Sequence, residues 1–174
     1  MRPPEIEQRV EQLLRKYNIN DGPVPVERIA EAEGLPIIET AYAGEVSGAL
    51  IRSNGMTGIA VNSAHPQTRR RFTVAHELAH FALNHEGEYI DSRFTVIRRD
   101  GRSSDATDKK EIEANAFAAN LLMPTEFLYR DLKPSYRGEA HLSDNDLKML
   151  ARKYRVSPLA MQYRLVNLGL LSPE

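Results

Sequence analysis

Near the N-terminus, apolar side chains recur at Ile6, Val10, Leu13, Leu14 and Tyr17, three or four residues apart. That spacing predicts a helix, and Pro3 and Pro4 suit its first turn. The segment NINDGP breaks it, and a short second helix follows with Pro25 near its start and Gly34 as its stop. The period then shortens. Residues 35–40 read as a strand, and Pro36 assigns it to a sheet edge or to a strand start. SGALIR and MTGIAVN flank Ser53-Asn54-Gly55, and Asn-Gly between two runs of strand formers predicts a hairpin over residues 48–62.

From residue 66 to about residue 84 the helical pattern returns, with Phe72, Ala75, Ala79, Phe81, Ala82 and Leu83 supplying its apolar positions. The chain from 86 to 107 is polar and charged apart from one β-like island, Phe94-Thr95-Val96-Ile97. A loop of that length inside a compact domain points to function or mobility. Asp108 with Glu111 reads as a capping box opening a helix that runs through NAFAANLLM to Pro124, and a short helix follows. Two more helices complete the pattern. Ser143 caps the first, Ser157-Pro158 starts the second and Gly169 closes it.

Composition narrows the function classes. The 174 residues fit one domain with a small terminal appendage, and 41% hydrophobic with 27% charged residues excludes disorder, collagen and coiled coil. A formal charge of −1 weighs against a whole-surface nucleic-acid binder while leaving a local basic patch open. The absence of Cys excludes a disulfide scaffold, a thiol nucleophile and a thiolate metal site. No apolar stretch approaches the roughly 18–20 residues of a membrane span, and MRPPEIEQRVEQLL carries no signal-peptide core. The expectation is a cytoplasmic protein with no membrane partner.

The segment VAHELAHFALNH places His76-Glu77-Leu78-Ala79-His80 on the central helix. Residues four apart stand one above the other on a helix face, with Cβ atoms about 6 Å apart, so two imidazoles can converge on one ion. Glu77 is turned off that axis and can face a water rather than ligate, the arrangement of a general base beside a zinc ion. The alternative is a solvated face carrying two histidines and a glutamate. Against it, Phe72, His76 and His80 share a face continuous with Ala79 and Leu83, and polar groups on a partly buried stripe need a partner.

A catalytic zinc needs a third protein ligand. His85 follows His80 too soon for the longer metzincin pattern, and Leu83 stands where that pattern has Gly. His85 therefore reads as a helix-end residue or as a support behind the ligands. The helix KKEIEANAFAANLLMP offers Glu111 and Glu113. Glu111 and Asn115 share a face, whereas Glu113 points about 160° away from Glu111. One helix can thus bring Glu111 to the ion and Asn115 to a ligand histidine as a hydrogen-bond partner. Helical geometry favours Glu111 over Glu113, and the plain alternative is that both are solvated charges.

RRRFTVAHELAHFALNH, then EIEANAFAANLLMP, then LARKYRVSPLAMQYRLVNLGLL, with PVPVERIAEAEGLPI before them, resemble the ImmA/IrrE group of metallopeptidases in order and content. The resemblance implies an α+β, zincin-like fold: a small twisted sheet, an active-site helix and a second helix bringing the third ligand. It implies Zn2+ held by His76, His80 and Glu111, with Glu77 as general base, and Glu111 with Asn115 is similar to the E-x-x-x-D/N element of gluzincins. Family members act on helix-turn-helix repressors, so the implied partner is an XRE-type repressor cut by a zinc endopeptidase. The expected organisation is a peptidase domain over residues 1–134 and a helical, helix-turn-helix-like appendage over 135–174 packed on it. A reading from another class is a regulatory, antitoxin-like module that sequesters a repressor or toxin without cutting it.

Other features admit two readings each. Arg69, Arg70 and Arg71 either grip an acidic substrate or are tied to acids of the N-terminal half. The hairpin either offers an edge along which a peptide adds or is structural. Lys148, Arg152, Lys153, Arg155 and Arg164 lend the last two helices a DNA-binding look. Leu, Met and Tyr dominate the final helix, however, which favours core packing or repressor docking over DNA contact. Tyr136 and His141 are the polar-loop residues available to stabilise an oxyanion, and nothing in the sequence places them at the ion.

Overall fold

A computed structural model describes residues 3–41, 47–53, 55–85, 105–132 and 142–172. Among these, the order is α1 (Pro3–Lys16), α2 (Val26–Ala32), β1 (Ile37–Thr40), β2 (Gly48–Ser53), β3 (Met56–Asn62), α3 (Gln67–Ala82), α4 (Asp105–Leu122), α5 (Thr125–Asp131), α6 (Asp144–Tyr154) and α7 (Pro158–Asn167). The mixed α+β architecture that the resemblance implies is present. The β-like island at 94–97, Asn54, Tyr136, His141 and the proposed boundary at 134/135 lie outside the described residues.

The sheet has the order β1-β3-β2, with β3 central. Its Ile59, Ala60 and Val61 are buried, as a strand covered on both sides requires. β2 and β3 form the anticipated hairpin, with Ser53 opposite Met56 and Gly48 opposite Val61, and Gly55 takes a positive φ of 77°. β1 joins β3 in parallel, Ile37 facing Ile59, and Pro36 stands just before this edge strand, where its missing N–H costs nothing. Gly48 marks a close approach. A Cβ there would come within 2.4 Å of both the Ala60 carbonyl oxygen and Thr73 Cγ2, so a glycine lets β2 lie this near β3 and α3.

α3 and α4 share the most extensive helix–helix contact. Ala75 and Ala79 of α3 and Ala114 and Ala118 of α4 are all fully buried, small enough to let the two axes come close. α4 begins at Asp105, a turn before the capping box read at Asp108 and Glu111. No proline or glycine stands between Asp105 and Glu111 to stop the helix from extending one turn further back. Ala151, Tyr154, Val156, Met161 and Leu165 bring α6 and α7 into the same apolar cluster as α1, α3 and α4. Ser143 and Ser157 cap α6 and α7 as expected, the former in a capping box with Asp146.

Among the described residues, five helices end in one motif. In each, a residue with positive φ follows the last turn, and the next amide bonds back to a carbonyl five residues earlier. The reversing residues are Asn18, Gly34, Asn84, Arg155 and Gly169, with φ from 51° to 84°. The closing bonds run from Ile19 N to Leu14 O, Leu35 N to Ala30 O, His85 N to His80 O, Val156 N to Ala151 O and Leu170 N to Leu165 O, at 2.8–3.0 Å. Four of these pairs are apolar; the one ending α3 joins two imidazoles.

Candidate metal centre

The i, i+4 spacing on α3 brings His76 Nε2 and His80 Nε2 to 3.0 Å. α4 delivers Glu111 against both, with Oε2 3.2 Å from His76 Nε2 and Oε1 3.3 Å from His80 Nε2. Among the described residues these three form the group of His, Asp and Glu side chains that could hold a metal ion. Their chemistry fits one. Ligands at about 2.0–2.1 Å in tetrahedral array stand roughly 3.3 Å apart, close to the separations observed. His76 Nδ1 lies 3.0 Å from Asn115 Oδ1, an oxygen that only accepts, so its proton belongs there and Nε2 is bare toward Glu111.

Charge is arranged accordingly. The imidazoles of His76 and His80 against it hold the Glu111 carboxyl far below the ordinary carboxylate range. Burial works against a charge on His76, yet Glu111, Glu77 and Asn115 outweigh it and raise its pKa. Glu77 lies beside them. Burial pushes its carboxyl above the usual range, against the opposing pull of both imidazoles and of the Leu50 N–H from β2 that it accepts. A carboxyl so placed is suited to taking and releasing a proton.

Both glutamates of α4 are engaged. Glu113 does not face solvent: it is 9% exposed, and its Oε2 lies 3.1 Å from His85 Nε2. The other nitrogen of that ring, His85 Nδ1, lies 3.1 Å from His80 Nδ1. Burial, with His80 and Lys110 nearby, pushes the His85 imidazole down to about 4. From sequence, His85 reads as a helix-end or supporting residue and Glu113 as a rival ligand or a solvated charge. The available signal was Asn84 after an apolar helix run, a residue type that reverses the chain and turns the next side chain back onto the last turn.

The arginines before the motif are tied internally. Arg69 donates to Ser47 Oγ at 2.8 Å, Arg70 pairs with Glu39 at 2.7 Å, and Arg71, 3% exposed, pairs with Glu27 at 3.0 Å and donates to the Val24 carbonyl. Arg164, counted toward a basic face, is 7% exposed and donates to Met123 O, Asn120 Oδ1 and Thr125 Oγ1. It works as a core fastener between α7 and the α4–α5 junction. No described helix is long and apolar enough to cross a membrane.

Known proteins are similar to this chain in sequence or in fold. A solved structure of a Mycobacterium tuberculosis transcriptional regulator superposes with a TM-score of 0.63 at 15% identity, over 92% of this chain and 46% of that one. The chain thus spans about half the length of that protein and has the fold of that part. The protein named uncharacterized immunity region protein 2, of Bacillus phage phi105, is 29% identical over 119 residues, 68% of each chain. Residues 30–166 match the peptidase M78 family, described as the IrrE N-terminal-like domain, and with most of its length so matched the chain belongs to that family.

Proposed function

We propose that this protein is a zinc-dependent endopeptidase that hydrolyses a peptide bond in a partner protein, a helix-turn-helix repressor of the XRE type. The observation that carries this reading is the convergence of His76, His80 and Glu111 with the half-buried Glu77 carboxyl beside them. His76, His80 and Glu111 hold the ion. Bound there, zinc supplies Lewis acidity, polarising a peptide carbonyl and lowering the pKa of a water to about 7. Glu77 takes the proton of the attacking water and delivers it to the leaving amine. Asn115 fixes the His76 ring so that Nε2 faces the ion. β2 forms a sheet edge next to Glu77, and an extended substrate segment adds along it.

The machinery belongs to residues 1–134, and α6 and α7, within 135–174, form the helical appendage that packs on it. An immunity-region relative from a phage agrees with a repressor as the substrate. Cutting a repressor assigns the protein to the cytoplasm. The test is Glu77→Gln, co-expressed with a helix-turn-helix regulator of the XRE type. The wild type should yield a truncated regulator. The variant should keep its zinc, measured by elemental analysis, and leave the regulator intact. A variant that still cuts refutes the role of Glu77, and a zinc-loaded wild type that binds the regulator without cutting it replaces the peptidase with a sequestering module.

A further inference from the structure

We infer that His85 and Glu113 are positioning residues that act on the metal through His80, forming a carboxylate–imidazole–imidazole chain that fixes which nitrogen of His80 faces the ion. This rests on the metal reading of the His76, His80 and Glu111 cluster, and it assigns work to two buried residues that a minimal zinc site does not need.

Proton placement along the chain follows from its carboxylate end. A carboxylate only accepts, so Glu113 Oε2, 3.1 Å from His85 Nε2, requires the His85 proton on Nε2. His85 Nδ1 is then a bare acceptor, 3.1 Å from His80 Nδ1, which must donate to it. With its proton on Nδ1, His80 turns a bare Nε2 toward His76 Nε2 and Glu111. Each ring has one consistent tautomer, and the chain sets all of them from the Glu113 end. A metal-ligating imidazole commonly donates its other N–H to a carboxylate, which orients the ring and raises its basicity. Here a second imidazole is interposed.

The two ligand histidines are therefore held differently. Behind His76 stands a neutral amide oxygen, Asn115 Oδ1; behind His80 stands a negative charge relayed through a ring. The backbone explains how the interposed ring gets there. Asn84 reverses the chain at φ 51°, and the His85 amide closes onto the His80 carbonyl at 2.9 Å, which sets the two side chains against each other. Glu113 reaches them from α4, two residues beyond Glu111 in sequence, so one helix supplies both a direct carboxylate and a remote one. His85 is 8% exposed, so little water competes for either nitrogen.

The test uses Zn2+ alone as the probe. Dissociation constants are read by competition with a chromophoric chelator, and thermal unfolding of each metal-free protein is followed in parallel. His85→Ala and Glu113→Gln should weaken Zn2+ by about 10–100-fold, the range for lost outer partners of ligand histidines. His85→Gln should restore most of the affinity, because its amide oxygen can accept from His80 Nδ1 while its NH2 donates to Glu113. A purely structural role predicts a lower unfolding temperature with unchanged affinity, and that result overturns the inference. So does wild-type affinity in Glu113→Gln, the near-isosteric variant that decides the matter if His85→Ala does not fold. Wild-type protein that binds no Zn2+ sinks the metal reading together with this one, whereas tight wild-type binding with insensitive variants sinks this one alone.

Discussion

The ends of α1 and α3 are built alike and serve different ends. Each stops on an Asn of positive φ, Asn18 or Asn84, and each closes with an amide returning to a carbonyl five residues back. At α1 the paired side chains are Leu14 and Ile19, packed into the core. At α3 they are His80 and His85, linked nitrogen to nitrogen and backed by Glu113. A motif that usually satisfies backbone groups and buries a little apolar surface is here the support of a candidate metal ligand. The lesson is that backbone geometry delivers a side-chain pair, and residue identity decides whether the pair makes stability or chemistry.

Making the α3 end resemble the α1 end gives the largest expected effect. In a His80→Leu, His85→Leu, Glu113→Leu variant, Zn2+ affinity should fall by more than the roughly 100-fold upper range for outer partners, because a proposed ligand itself is gone. The metal-free protein should nevertheless unfold at the wild-type temperature or above, since replacing every member of a buried polar chain by apolar groups is nearly neutral or stabilising. Chelator competition and calorimetry on the same samples check both halves. A large loss of stability would show that the imidazole pair also carries the fold.

Leu14→Ala attacks the apolar end instead. Truncating a buried leucine costs about 2–5 kcal/mol, so urea unfolding should move to lower midpoints while Zn2+ affinity stays at the wild-type value. A smaller effect separates backbone from side chain at α3. Asn84→Gly keeps the left-handed turn and should change little. Asn84→Val, strained by about 1–2 kcal/mol in that conformation, should lower stability and metal affinity together as His85 is displaced. Equal Zn2+ affinity in the Gly and Val variants would detach the turn from the site.

The mildest test is pH. His85 sits at about 4 in the folded chain against an ordinary 6.5, so between these values the unfolded chain takes up a proton that the folded one refuses. Stability of the metal-free protein should therefore hold above about pH 6.5 and decline as pH falls toward 4. Glu111, depressed by its histidines, adds a further loss below the ordinary carboxylate range. Denaturant midpoints across pH 4–8 should be flatter in His85→Gln, and an unchanged slope would contradict the placement of His85.

The sequence disclosed what is local. HELAH and the Glu111/Asn115 spacing are one-helix arguments, and the structure brings His76, His80 and Glu111 within contact distance of one another and Asn115 to His76. The hairpin and most helix ends were legible for the same reason, since Asn-Gly, Ser and Gly signals act within a few residues. What escaped depends on contacts distant in sequence. Glu113 looked turned away from Glu111, and only the return of the chain past Asn84 gives it His85 to meet. Likewise, the parallel pairing of β1 with β3, across the intervening β2, is set by packing under α2 and α3 rather than by any turn.

The glycine at position 48 has a practical corollary. Two residues before the amide that anchors Glu77, the strand is pressed onto its neighbours so tightly that no side chain can be added. Any bulk added at this position must prise the strand, and the carboxyl that its Leu50 amide steadies, away from the helix.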